Sequence, residues 1–208
     1  MPTLYFYHDP MCSWCWGYRP VSDQLSARLP DGVRLVNIVG GLAPDSDEPM
    51  PDHFRTGLPN TWRKIHDLLG TEFNFDFWTK CKPRRSTYPA CRAVLAAGEQ
   101  DQYDEMIDAI QRAYYLRAMN PSDLETLETL AEEINLDAEK FARDIRSAEI
   151  EEELQNEVRF ARRSPIDGFP SLVLEVGGQM VPITRDYKDP NPTLDHIERL
   201  VSGTQAVT

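Results

Sequence analysis

Everything strand-like in this chain lies near its two ends, and a long helical block separates them. That order constrains the fold more than any other feature. Leu4–His8 is a short aromatic-rich run suited to a strand. Val33–Val39, "VRLVNIV", is β-branched and bounded by Asp31-Gly32 and Gly40-Gly41. Between them Tyr18, Val21, Leu25 and Leu29 keep helical spacing from Trp14 to about Leu29. A strand–helix–strand order predicts a βαβ unit with a right-handed crossover and a parallel strand pair. Strand character returns only at Ser171–Val176, where Gly177-Gly178 forms a two-residue turn into "QMVPI". A last helix follows, from about Thr193 to Val201.

The middle of the chain supplies no strand. Residues 42–85 are rich in Pro, Asp and Gly, with one helix predicted near Asn60–Leu69. From Thr87 the pattern is helical up to Pro165, which ends the block. Tyr103, Met106, Ile107, Ile110 and Tyr114 form one apolar stripe, and Leu124, Leu127, Ala131 and Ile134 form another. Ser122 with Glu125 reads as a capping box, and Leu136 and Phe141 bracket Asp137 as a staple around an N-cap. Ile150, Leu154, Val158 and Ala161 mark a further helix. These stripes are core faces. The expected architecture is α/β, with residues 1–45 and 163–208 building one sheet and residues 46–162 forming a helical insertion.

Composition removes some functions. A net charge of −12 argues against a nucleic-acid partner, since phosphate binding needs clustered Lys and Arg. The nearest basic cluster, "KCKPRR" at Lys80–Arg85, is short and proline-interrupted, and reads as a solvated loop. No stretch approaches the roughly 20 apolar residues that span a bilayer. The N-terminus lacks both a basic n-region and a long apolar h-region. The expectation is a cytoplasmic protein without a membrane partner. Four cysteines are too few for a disulfide scaffold, and a reducing compartment disfavours structural bridges.

Two of those cysteines, Cys12 and Cys15, stand in "DPMCSWCWG" at the junction of the first strand and first helix. A helix N-terminus offers unsatisfied N–H groups and a positive dipole end, which favour a thiolate. Cys15, one turn further on, lies on the same face and within disulfide reach. The spacing makes Cys12 an attacking nucleophile and Cys15 a resolving thiol. A zinc clip needs two more ligands, yet Cys81 and Cys91 stand far from knuckle spacing and His8, His53, His66 and His196 are scattered. Cys81 and Cys91 read as ordinary thiols, Cys91 half-buried. No acid is obviously placed to take the Cys15 proton, and His8 and Asp9 are candidates only by proximity. Met11, Trp14, Trp16 and Phe169 are candidates for an apolar patch around the thiols. At "DGFPSL", Pro170 stands at a strand entrance after Gly168, which fits a cis Phe169–Pro170 turn and an ordinary trans proline equally.

With "STYPACRAVLAA" and "GFPSLVL", the "DPMCSWCWG" segment makes the chain similar to the DsbA-like branch of the thioredoxin superfamily. Within it the chain most resembles cytoplasmic FrnE-like proteins described as protein-disulfide isomerases, over essentially its whole length. Pro20 matches the proline that kinks the active-site helix in that superfamily. The resemblance implies a thioredoxin-like sheet carrying a large helical insertion. It implies that Cys12 attacks, that Cys15 resolves, that a cis Pro170 faces the pair, and that Trp14 and Phe169 contact the substrate. Disulfide-containing proteins or low-molecular-weight thiols are the implied partners. The implied chemistry needs no metal or organic cofactor, with glutathione as a candidate co-substrate. Two features depart from the family. Ser13-Trp14 replaces the Pro-His of the oxidant DsbA and the Gly-Pro of thioredoxin, which leaves the direction of electron flow open. Phe169 stands where smaller residues are commoner.

Two rival readings remain at this stage. Kappa-type glutathione transferases and 2-hydroxychromene-2-carboxylate isomerases share the insertion architecture, but usually carry a serine in place of the cysteine pair. A chaperone-like binding module that senses oxidation through Cys12 and Cys15 is the other.

Overall fold

The computed structural model describes residues 1–205. The chain runs β1 (Thr3–His8), α1 (Ser13–Ala27), β2 (Arg34–Val39), α2 (Asp52–Leu69), α3 (Phe77–Lys80) and α4 (Tyr88–Gly98). It continues through α5 (Tyr103–Leu116), α6 (Leu124–Glu133), α7 (Ala138–Asp144), α8 (Ala148–Arg163), β3 (Ser171–Val176), β4 (Gln179–Ile183) and α9 (Asn191–Gln205). The four strands form one sheet in the order β2-β1-β3-β4. β1 and β2 run parallel, while β1–β3 and β3–β4 are antiparallel. Strands from both ends of the chain therefore share one sheet, as the strand–helix–strand opening and the hairpin close predict.

β1 is central and apolar on both faces, because neighbouring side chains along a strand point to opposite sides. On one face Leu4 packs with Tyr18, Val21 and Leu25 of α1 and with Ile197 and Val201 of α9. On the other, Tyr7 packs with Ile38, Val173 and Ala161 of α8. The helices between β2 and β3 hold a core of their own, centred on Met106, Ile110, Leu127, Leu130, Phe141 and Leu154. Val39, at the end of β2, joins that core and ties it to the sheet. A separate aromatic cluster surrounds Trp62, with Phe77, Tyr114 and Tyr115 buried beside it.

Local expectations meet two corrections. α2 begins at Asp52, well before Asn60, and carries Pro59 inside it. Its first turns are exposed at Asp52, His53, Arg55 and Thr56, so the carbonyl that Pro59 cannot serve lies in a solvent-facing stretch. Asp123, not Ser122, is the N-cap of α6, and no side chain caps it. The Ser122 hydroxyl instead donates to the Ser86 carbonyl at 2.7 Å, fastening this loop to the approach to α4. The predicted cap at Asp137 is present, its carboxylate accepting the Lys140 N–H at 2.9 Å. Among the described residues, no helix is long and apolar enough to cross a membrane.

Candidate active site

β1 ends at the buried His8, and Asp9, Pro10 and Met11 turn the chain into α1. Cys12 is the N-cap: its N–H donates to the Asp9 carbonyl at 3.0 Å, and its own carbonyl accepts from Trp16 N at 3.0 Å. Its thiol thus stands at the positive end of a 15-residue helix that contains Pro20. Cys15 follows one turn in, and both cysteines are free thiols. Position at the helix start predicts an exposed Cys12 and, a turn inside, a shielded Cys15. The structure buries both, at 6 % and 4 % exposure, because a distant loop covers Cys12. Burial pushes the Cys15 thiol well above its ordinary pKa, and the hydrogen bonding and charge of Cys12 push the same way.

The covering loop is the approach to β3. The Phe169–Pro170 peptide is cis, and the Cys12 thiol donates to the Phe169 carbonyl at 3.4 Å. Pro170 is buried and Phe169 half-buried. The Phe169 ring rests on the bare backbone of Gly40, where a Cβ would fall 1.9 Å from Phe169 Cζ. Gly40 in turn donates its N–H to the His8 carbonyl at 2.7 Å, so the ends of β1 and β2 and the β3 approach converge on the thiols.

Trp14 lies half-buried, edge-on to Tyr187 at 5.4 Å, with the Lys64 ammonium 5.9 Å from its ring centroid. Tyr187 comes from the irregular segment between β4 and α9, and no motif pointed to it. Trp16 turns away, stacking on Tyr115 at 5.7 Å and donating its indole N–H to the Glu72 carbonyl at 3.0 Å. Met11 packs toward the same aromatic cluster. Met11 and Trp16 thus share one cluster, while Phe169 packs beside Tyr7 and Trp14 stands against Tyr187, so the four do not form one continuous patch.

The two residues suggested by proximity differ in character. His8 is buried, with Nε2 3.2 Å from the Tyr103 hydroxyl. Burial, with the Arg19 charge behind it, drives its pKa down to about 3, so the ring is neutral at physiological pH. It lines a cavity of about 160 Å³ together with Cys15, Arg19, Asn37 and Asp104. Asp9 is wholly buried and surrounded by hydrogen-bond donors, among them the Cys91 thiol. Cys91 is fully buried rather than half-buried, and burial pushes its pKa well up. Cys81 packs against the Trp62 cluster, its thiol donating to the Ala118 carbonyl at 2.9 Å. Among the described residues, no three or more His, Cys, Asp or Glu side chains gather to hold a metal ion.

The DSBA-like thioredoxin domain family matches residues 3–188. The chain belongs to that family. The structure of this DSBA-like protein superimposes on a candidate protein disulfide isomerase from Nitrosomonas europaea with a TM-score of 0.81. The two are 26% identical, with 99% of this chain and 98% of the other covered. It superimposes on the cytosolic disulfide reductase DsbM of Pseudomonas aeruginosa with a TM-score of 0.76 at 23% identity, covering 99% and 100% of the two chains. The ClpXP adapter protein SpxH of Bacillus subtilis is 26% identical over 172 residues, covering 81% of this chain and 56% of the relative. The chain thus spans just over half the length of the curated relatives it matches.

Proposed function

We propose that this DSBA-like protein is a thiol-disulfide oxidoreductase of the cytoplasm, acting through Cys12 and Cys15. One contact carries the reading: the Cys12 thiol, at the N-terminus of α1, lies against the Phe169 carbonyl beside Pro170. The Cys12 thiolate attacks one sulfur of a substrate disulfide, forming a mixed disulfide and releasing the other sulfur as a thiolate. Cys15 then gives up its proton and attacks the Cys12 sulfur. The bond to the substrate breaks, the substrate leaves as a second thiolate, and Cys12–Cys15 closes as a disulfide. Two electrons pass from the pair to the substrate, and a low-molecular-weight thiol such as glutathione returns them. Trp14, Phe169 and Pro170 form the face the substrate meets. The likeness to DsbM, which is described as cytosolic and has also been solved with GSH, supports both the compartment and the thiol partner.

A second reading is favoured by the SpxH similarity, which extends over 81% of this chain: a protein-binding adapter that needs no redox turnover. Trapping separates the two. The Cys15→Ser protein is mixed with a disulfide-bonded protein or oxidised glutathione and examined by mass spectrometry. The oxidoreductase reading expects a covalent adduct on Cys12, turnover by the unmodified protein, and neither in Cys12→Ser. A folded protein with no adduct and no turnover, whose partner binding survives loss of both cysteines, overturns it in favour of the adapter. Tight glutathione binding without disulfide reduction would point to the transferase-like reading instead.

A further inference from the structure

The turn that covers Cys12 is supported on two flanks. On one, the Phe169 ring rests on Gly40. On the other stands Arg185, from the segment that links β4 to α9. Its Nη1 donates to the Ser171 hydroxyl at 3.4 Å, and its Nη2 to the Asp167 carboxylate at 3.3 Å. Ser171 is buried and gives its own proton to the Gly168 carbonyl at 2.7 Å, which leaves its oxygen to accept from Arg185. A chain of bonds thus runs from the guanidinium through one hydroxyl to the first residue of the turn, and each bond polarises the next. Gly168, at a φ of 142°, has no side chain to hold that angle, so these contacts close the turn.

The segment that carries Arg185 is internally tied. Asp186 Oδ1 accepts the Lys188 and Asp189 N–H groups at 2.8 and 3.0 Å, and Asp189 Oδ1 accepts the Asn191 N–H at 2.9 Å. The Thr193 hydroxyl of α9 donates back to the Thr184 carbonyl at 3.0 Å. Tyr187 seats the segment on the thiol helix, edge-on to Trp14 at 5.4 Å and to the buried Tyr18 at 5.2 Å. Residues 185–187 therefore touch both halves of the site, the thiol helix through Tyr187 and the covering turn through Arg185.

A purely stabilising role explains Arg185 poorly. The Asp167 side chain is 82 % exposed, and an ion pair with so exposed a carboxylate adds little. Arg185 Nε is buried and makes no hydrogen bond among the described residues, which costs stability. What the residue does supply is position, because its Ser171 contact lies two residues from the Phe169 carbonyl that meets Cys12.

We propose that Arg185 is a positioning residue for the thiol site: it holds the Gly168–Ser171 turn, and with it the Phe169 carbonyl over Cys12, against the segment that Tyr187 seats on α1. The proposal rests on the redox reading above and adds to it the residue that keeps the substrate face in register with the attacking thiol. A peptide disulfide meets Trp14, Phe169 and Pro170 together, so it needs the turn in place. A small disulfide needs only the sulfur. Loss of Arg185 therefore moves two readouts in opposite directions. Cys12 loses its cover and reacts faster with a small alkylating agent, while a peptide disulfide loses its docking face and reacts more slowly.

The test compares the parent with Arg185→Gln in three measurements: Cys12 labelling by iodoacetamide, and single-turnover reduction of a peptide disulfide and of 2-hydroxyethyl disulfide. Arg185→Gln should label Cys12 several-fold faster while Cys91 stays unlabelled. Its reduction rate should fall several-fold further with the peptide disulfide than with the small one. Ser171→Ala leaves Arg185 in place but removes the hydroxyl that links it to Gly168, so it should move both readouts in the same directions. It decides the matter if Arg185→Gln does not fold. Unchanged Cys12 labelling, or equal losses on the two disulfides, in a folded variant overturns the proposal. Labelling of Cys91 alongside Cys12 in both variants overturns it too, because the whole fold has then loosened. The labelling arm needs no disulfide substrate, and the Cys15→Ser trap needs no Arg185 variant, so either idea can fail without the other.

Discussion

The Cys12 thiol donates to the main-chain carbonyl of Phe169 at 3.4 Å, across 157 positions of sequence. That single bond joins the strand–helix junction at one end of the chain to the β3 approach at the other. It exists only because β1 pairs with β3, setting Tyr7 opposite Ser171 at the site end of the sheet. The candidate site is therefore a product of the sheet, and it is assembled last in sequence terms.

The first prediction separates the two cysteines. Both are buried, so reactivity should follow acidity more than exposure. Burial holds Cys15 protonated. Iodoacetamide near neutral pH should label Cys12 about tenfold faster than Cys15, and leave the wholly buried Cys91 unmodified in the native protein. Mass mapping of the labelled peptides reads the order directly. Equal labelling of Cys12 and Cys15 would remove the division between attacking and resolving thiol.

The second prediction concerns the aromatic cluster behind α1. Trp62 is 1 % exposed and meets Phe73 at 5.1 Å and Tyr115 at 5.3 Å, while Tyr115 stacks on Trp16 of α1. Trp62→Ala should cost about 3–5 kcal/mol in urea denaturation, the usual range for emptying a large aromatic site. A cost under about 1 kcal/mol would mean that the cluster collapses to fill the space.

Much of this arrangement is legible in the sequence, for identifiable reasons. The sheet is read from β-branched runs and glycine pairs, which are local signals. The thiol pair is read from its spacing at a strand–helix junction, and the Asp137 cap from its staple. The start of α2 is hidden by Pro51, Gly57 and Pro59, whose local preferences oppose a helix that tertiary contacts at Trp62 and Ile65 sustain. The cover over Cys12, the Tyr187 contact with Trp14 and the partners of Asp9 are invisible for a different reason. Each is a contact between segments far apart in sequence, and no local pattern encodes it.

The third prediction is a pH dependence. Glu157 of α8 accepts the Val39 N–H at 2.6 Å at the end of β2. Burial raises its pKa to about 7 from 4.5, the Val39 bond opposing the rise and Glu153 adding to it. A carboxyl with a raised folded value binds its proton more tightly when folded. Its contribution is complete below about pH 4.5 and is lost as pH climbs through about 7. Glu157→Gln keeps an acceptor for Val39 and abolishes this titration. Relative to the parent, the variant should gain on the order of 1–2 kcal/mol between pH 5 and pH 8. Urea denaturation at both pH values measures it. A parallel pH response of the two proteins would show that Glu157 ionises freely in the fold.

The last prediction tests how the Phe169 ring is seated. Gly40 needs no unusual backbone angle; what it lacks is a side chain, and the ring takes that space. A Cβ there would fall 1.9 Å from Cζ and 2.1 Å from Cε1 of Phe169, closer than any real contact. Gly40→Ala must therefore expel the ring, and with it shift the carbonyl that Cys12 meets. Overpacking of this kind costs about 1–3 kcal/mol. Phe169→Ala alone should cost less, because the ring is only half-buried. Combining the two should recover most of the stability lost in Gly40→Ala, since the clash is then gone. The double variant still lacks the ring that the proposed function sets against the substrate, so on that proposal disulfide reduction should stay depressed while stability returns. Additive losses in the double variant would show that Gly40 matters to the β2 end in its own right and not as the seat of Phe169.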